Sequence, residues 1–325
     1  MSSIRAYTTR MLVVPAVLGF AALVFASSPV LAQDQNQDRN QSMSHSTAQM
    51  EMTRPAPILV IYKEDVKAGR VTSHNDLEAN YARTYAKMPG ARHYLAMESI
   101  SGPNQAWFVQ PYASLEDVEK EYLANDKAPT AIRAELRRIA GGELDNLTNQ
   151  VAITTVYRDD LSYKADISNL PKDRYVEVIM FRVKPGHDNE FMEAVNLVRS
   201  AHEKANVGMG WVMYQTFAGA PSGTYYLFRT LESLTKADPT NREMMETVHK
   251  ALGEDGQKRL MQLSSDCILM EENNFYAFDP KASFAPPEFA AADSFWSRPT
   301  QLAQVGTSGK SGKMAATKAT KKQGK

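Results

Sequence analysis

The chain predicts an α+β fold built from two tandem βαββαβ units, and three observations carry that prediction. Glycines recur at a fixed spacing: Gly69 and Gly186 close matching Val-Lys-x-Gly turns 117 residues apart, Gly102 and Gly219 repeat the offset, and Ser114-Leu115 aligns with Ser233-Leu234 at 119. Within each copy the same order of elements can be read: strand, helix, hairpin, helix, strand. The strands are apolar on both faces, as Val176, Val178 and Met180 against Ile179, Phe181 and Val183 illustrate, so the sheet has to be covered on both sides.

The elements follow in order. Arg5 and Arg10 precede the apolar run Met11 to Ala26, and Val30 and Ala32 supply small residues before Gln33. That pattern predicts a signal peptide over 1–32 and an exported protein, periplasmic or secreted, because a 16-residue run interrupted by Pro15 and Gly19 falls short of the ~20 residues of a membrane span. Residues 33–56 are polar, with no periodic apolar face, and read as a disordered leader. The first repeat, 57–163, opens with a strand at Ile58 to Tyr62. A helix follows, begun by a capping box at Ser73 and Asp76 and carrying its stripe on Leu77, Tyr81, Thr84, Tyr85 and Met88. A hairpin from Tyr94 to Val109, a helical stretch from Leu115 to Arg138 and a strand from Val151 to Tyr157 complete it. A linker, 164–174, leads to the second repeat, 175–280. Its first strand ends at Val183, and its helix opens after His187 with Phe191, Ala194, Val195, Val198, Ala201 and His202 on one face. A hairpin from Trp211 to Phe228, a helical stretch from Arg242 to Leu263 and a strand from Ile268 to Phe278 finish the copy. In the tail, 281–325, Phe289, Phe295 and Trp296 are apolar enough to fold back on the body, and six lysines follow with no acid.

This order is the split βαβ, or ferredoxin-like, arrangement. A strand ending Lys184-Pro185-Gly186, a helix opening Glu190-Phe191, a strand after Gly210-Trp211 and an aromatic third strand together resemble the dimeric α+β barrel superfamily, with its antibiotic-biosynthesis-monooxygenase-like and NIPSNAP-like groups. The first repeat departs from the pattern, with Lys67-Ala68-Gly69 and no Glu-Phe pair. The resemblance spans about two thirds of the chain. It implies that the two ferredoxin-like units pair into a pseudo-dimeric barrel within one chain, with ligands between helices and sheet. Oxygenases, haem proteins, isomerases and proteins of no known activity share that superfamily, so it implies fold more than function.

Equal totals of 37 basic and 37 acidic residues conceal an uneven distribution. With the signal segment and the lysine tail set aside, residues 33–305 hold 29 basic and 37 acidic groups, an acidic body that argues against a nucleic-acid partner. The basic tail is suited to anionic envelope polymers. Cys267, the one cysteine, can close no internal disulfide and reads as a packed thiol. No metal site and no cofactor are expected: H-E-x-x-H, C-x-x-C, P-loop and dinucleotide motifs are all missing, and the six histidines read as scattered, with none paired at i, i+4 to another ligand-type residue facing the same way. Haem ligation by a single histidine stays open.

His202, inside an apolar helical stripe, and Tyr85, its equivalent in the first repeat, are the candidate catalytic residues, placed where a general base or a ligand-orienting group would sit. His93, Trp107, Trp211 and Tyr214 are the candidate ligand-binding residues, since π-faces hold a flat molecule. His74, His249 and the acidic run Glu116 to Glu121 read as solvated helix surface, and Asn146-Leu147-Thr148 as a chance glycosylation sequon. Two functions follow: binding of a small apolar or aromatic molecule in a helix-sheet cleft, or cofactor-independent oxygenase or isomerase chemistry using His202 or Tyr85.

Overall fold

The computed structural model describes residues 53–238 and 242–297; residues 1–32, read from sequence as a signal peptide, most of the polar leader and the lysine tail lie outside the described residues. Eight strands form the sheet: β1 (Ile58–Val66), β2 (Tyr94–Ser99), β3 (Gln105–Tyr112), β4 (Leu147–Tyr157), β5 (Tyr175–Val183), β6 (Val212–Ala218), β7 (Thr224–Leu231) and β8 (Ile268–Phe284). They close into a barrel in the order β1-β3-β2-β8-β5-β7-β6-β4, every pair antiparallel. Each repeat supplies four neighbouring strands. The repeats are joined at two seams, β2 to β8 with Met97 opposite Phe278, and β4 to β6 with Tyr157 opposite Tyr214. Closure leaves no free edge, and the alternate faces of each strand point to the barrel interior and to an outer helical layer.

The helices are α1 (Val71–Tyr85), α2 (Leu115–Asp126), α3 (Thr130–Glu143), α4 (Asp188–Lys204), α5 (Arg242–Cys267, interrupted at Gly253) and α6 (Pro287–Ala292). Pro129 divides the stretch read as one helix after Leu115, because a proline is tolerated at a helix start but not inside one. The capping box expected at Ser73 is not used: α1 begins at Val71, and Arg70 at its N-cap makes no side-chain cap. Phe217 does not share the buried face of Trp211 and Met213 but is 64% exposed at the end of β6.

The barrel interior is filled by Leu59, Ile61, Trp107, Tyr214, Tyr226 and Tyr276 with their neighbours. The C-terminal segment closes on it: Phe289 and Trp296 join this core, Trp296 Nε1 donates to Pro171 O at 2.7 Å, and Arg174 pairs with Asp293 while lying 4.3 Å from the Phe295 ring. The fixed glycine spacing has a packing cause. A Cβ on Gly102 would stand 2.1 Å from the Asn274 side chain, and one on Gly219 would stand 2.0 Å from the Ala152 carbonyl. Each hairpin turn therefore presses on the last strand of the other repeat, and both glycines have positive φ.

Candidate functional site

Two helix-sheet layers flank the barrel, one per repeat, and they differ in chemistry. In the second layer the row Phe181, Tyr225, Gln215 crosses β5, β7 and β6. Phe191 of α4 packs on it, 4.6 Å from the Tyr225 ring and 5.5 Å from Phe181. In the first layer the corresponding row, Glu64, Ala106, Glu98, crosses β1, β3 and β2. Counting 117 residues back along the same elements, His74 stands at the place of Phe191, Glu78 at that of Val195 and Glu64 at that of Phe181. The matching bonds Lys67 N to Asn146 O and Lys184 N to Cys267 O, both 2.8 Å, fix the offset in the last strands.

At the places of three aromatic rings and a valine in one layer, the other thus carries a histidine, two carboxylates and an alanine. A third carboxylate, Glu143 at the end of α3, joins them. Exposure is 1% for Glu64, 2% for His74, 3% for Glu78 and 0% for Glu143. His74 Nδ1 donates to Glu143 Oε2 at 2.9 Å and lies 3.7 Å from Glu64 Oε2. Gln150 Nε2 holds Glu64 Oε1 at 2.5 Å, and Asn146 Nδ2 is 3.4 Å from Glu143 Oε2. Burial lowers the pKa of His74, but the Glu143 hydrogen bond and the charges of Glu78, Glu143 and Glu64 outweigh it, so the imidazole titrates above its ordinary value. One ligand-type atom from each of the four residues falls within a span of 4.8 Å. Such a convergence of donors can hold a proton or a cation.

The reading of His74 as solvated surface is therefore corrected, as is the statement that no histidine has an i, i+4 ligand-type partner on its own face. His74 and Glu78 are such a pair, and both are buried. Of the stripe read from hydrophobic periodicity, Thr84, Tyr85 and Met88 are buried but Leu77 and Tyr81 are only half-buried, because the buried positions in the first half of α1 are the polar His74 and Glu78. Glu121 is likewise not surface: at 11% side-chain exposure it accepts from Tyr85 OH at 2.8 Å, Tyr112 OH at 2.7 Å and Arg92 Nε at 3.0 Å. Asn146 of the sequon is 2% exposed, and Cys267 is fully buried.

The six residues singled out from sequence fall into three separate places. Tyr85 and His93 share the far end of the first layer, both packing on Phe284; His93 Nδ1 is bonded to the Phe284 carbonyl at 3.1 Å. Burial, the nearby Glu121 charge and the Glu121 hydrogen bond push the Tyr85 phenol far up, so it is a proton donor there and no base. His202 and Trp211 meet in the second layer at 5.1 Å, where His202 Nδ1 donates to Val198 O at 2.8 Å and Trp211 Nε1 to Leu161 O at 2.9 Å. Trp107 and Tyr214 lie in the barrel interior, both against Phe228, so Tyr85 does not face Trp107. The cavity between Trp107, Tyr226 and Tyr276, about 10 Å³, has room for about one water.

The topology defines the class: a dimeric α+β barrel closed within one chain. No protein-family model and no curated protein matches the sequence. Solved structures similar in fold include a candidate monooxygenase from Fusobacterium nucleatum, at 14% identity over 69% of this chain and 93% of that one, TM-score 0.43. An anthrone oxidase-like protein aligns at 12% identity over 68% and 91%, TM-score 0.46. A mutant chlorite dismutase from Candidatus Nitrospira defluvii, in complex with cyanide, aligns at 10% identity over 72% and 96%, TM-score 0.41. These likenesses concern the barrel. Among the described residues no helix is long and apolar enough to cross a membrane.

Proposed function

We propose that this chain is an exported binding protein whose working site is the acidic helix-sheet layer of the first repeat, and that it takes a small cationic ligand there. The observation that carries the reading is the contrast between equivalent positions. Phe181, Phe191, Val195 and Tyr225 demonstrate that this architecture accommodates an apolar layer, yet the first repeat has Glu64, His74, Glu78 and Ala106 instead. Burying carboxylates costs several kcal/mol each unless they are neutralised, so a cluster of this kind is a poor way to fill space. Replacing Tyr225 by Ala106 at the centre of the row also removes the volume of a ring. Export rests on the signal pattern of residues 1–32 alone.

The test is thermal unfolding of the mature chain against a panel of divalent metals, polyamines and guanidinium-bearing compounds, with Glu143→Gln as the comparison. A cation that raises the melting temperature of the wild type and not of the variant is the expected result. Equal shifts in both proteins, or none in either, would refute the reading.

Binding of an apolar or aromatic molecule, or oxygenase or isomerase chemistry on one, is the weaker alternative. It draws support from the fold and from the imidazole of His202 beside Trp211. Against it, the cavity beside Trp107 has room for about one water, and the residues read as its site do not meet in one place.

A further inference from the structure

Resting on that reading of the first layer, we infer that its ligand is a divalent first-row transition metal of the manganese, iron or zinc kind, held by Glu64, His74, Glu78 and Glu143. The four come from three elements with little freedom. Glu64 projects from β1 just before the irregularity at Asp65 and Val66, and His74 and Glu78 stand one turn apart on α1, which brings their side chains to one face. Glu143 ends α3, which packs along α1. Donor atoms about 2.1 Å from a tetrahedral ion are roughly 3.4 Å apart. The observed span of 4.8 Å is somewhat wider, so loading would draw the four side chains together.

Independent of the clustering, one polar atom has no use inside the protein. Glu143 Oε1 is buried in a residue of 0% exposure and has no hydrogen-bond partner among the described residues, while the same carboxylate's Oε2 faces His74 and Asn146. A buried carboxylate oxygen left unpaired is costly and is satisfied outright by a cation. The neighbours act as an orienting shell: Gln150 occupies Glu64 Oε1 and turns the other oxygen toward His74, and Asn146 steadies Glu143.

The donor set narrows the ion. Three carboxylates with one imidazole suit manganese, iron and zinc; copper(I) would ask for sulfur, and calcium for six to eight oxygens and no nitrogen. With every donor at 3% exposure or less, the ion would be enclosed, so loading accompanies folding or an opening of α3.

Mature full-length protein, stripped with a chelator, is dialysed against MnCl2, ZnCl2 or CoCl2, and bound metal is counted by mass spectrometry. Cobalt is followed by its visible absorption, which reports nitrogen and oxygen coordination. One equivalent per chain is expected. His74→Phe and Glu143→Gln should each weaken binding by 100-fold or more and erase the cobalt spectrum, and Phe217→Ala, remote from the site, should change neither. The wild-type count and spectrum do not depend on either variant folding. Less than a tenth of an equivalent of all three metals would overturn the inference, as would full binding that survives Glu143→Gln. If metals fail while a polyamine stabilises the wild type and not Glu143→Gln, the cation site stands and the metal falls. If no cation binds, both fall.

Discussion

Replacing His74 by Phe, the residue found at the equivalent position 191, should destabilise the metal-free protein by about 3–5 kcal/mol, although the new ring suits this architecture. The change removes the Nδ1 donor 2.9 Å from Glu143 and leaves that carboxylate with only the long 3.4 Å contact from Asn146. It also takes away the imidazole set between Glu143 and Glu64, 3.7 Å from the latter, whose pKa these carboxylates raise. Converting the whole cluster should have the opposite sign. In Glu64→Met, His74→Phe, Glu78→Met, Glu143→Met and Asn146→Cys combined, the cluster's own buried carboxylates and imidazole are gone, and stability should equal the wild type or exceed it by about 1–4 kcal/mol. Asn146 is included because its side chain would lose Glu143, and Cys is what the second repeat has there. Urea unfolding at neutral pH with a chelator present gives both free energies by linear extrapolation. A single variant within about 1 kcal/mol of wild type would show that Glu143 does not depend on His74, and a combined variant more than about 2 kcal/mol below it would show that the cluster is a stabilising element and not a costly one.

Three further outcomes are expected. Burial, with the Arg229 charge adding to it, holds the His202 pKa below its ordinary value, so the unfolded chain takes up the proton first and stability falls as pH drops below about 6.5 toward the folded pKa. His202→Phe should therefore flatten the acid side of the stability profile, and parallel profiles for the two proteins would count against this. Trp296→Ala should cost about 3–5 kcal/mol, because the ring is 3% exposed against Phe278 and Phe289 and its Nε1 holds Pro171; a loss under about 1 kcal/mol would mean the C-terminal clasp is loose. Separately expressed halves, cut in 164–174, should not behave as stable monomers, since each would expose the barrel-facing side of four strands; two monomeric halves with independent melting transitions would refute the shared core.

The barrel was legible because its signals are local and geometric. Strands apolar on both faces demanded two covers, and the glycine spacing recorded two turns that each meet the opposite repeat, Gly102 at Asn274 and Gly219 at Ala152. The first-layer cluster was hidden by the same logic. Hydrophobic periodicity finds a buried face by its apolar residues: it caught the C-terminal half of that face in Thr84, Tyr85 and Met88, but in the N-terminal half α1 buries His74 and Glu78, and Leu77 and Tyr81 lie on the flank. The i, i+4 pair His74 and Glu78 was present in the sequence, but Glu64 and Glu143 lie 10 residues before His74 and 65 after Glu78, and only the fold brings them together. Glu121 was read as surface for a similar reason: its partners Tyr85, Arg92 and Tyr112 come from other elements.

The contrast between the layers also gives a reason for the fusion of two units in one chain. In a barrel assembled from two identical subunits, any residue placed in one helix-sheet layer appears in both, so a buried cluster with three carboxylates incurs its desolvation cost twice. A tandem chain is free of that symmetry. Here the second layer keeps Phe181, Phe191 and Tyr225 in ring contact. The seams β2 to β8 and β4 to β6 bind it to the charged layer through continuous sheet. If the barrel unfolds as one unit, apolar burial in the second repeat offsets a local cost in the first, and a net stability of only 5–15 kcal/mol leaves room for one such cluster more readily than for two. The duplication thus allows one half to carry a buried polar cluster while the other remains packing.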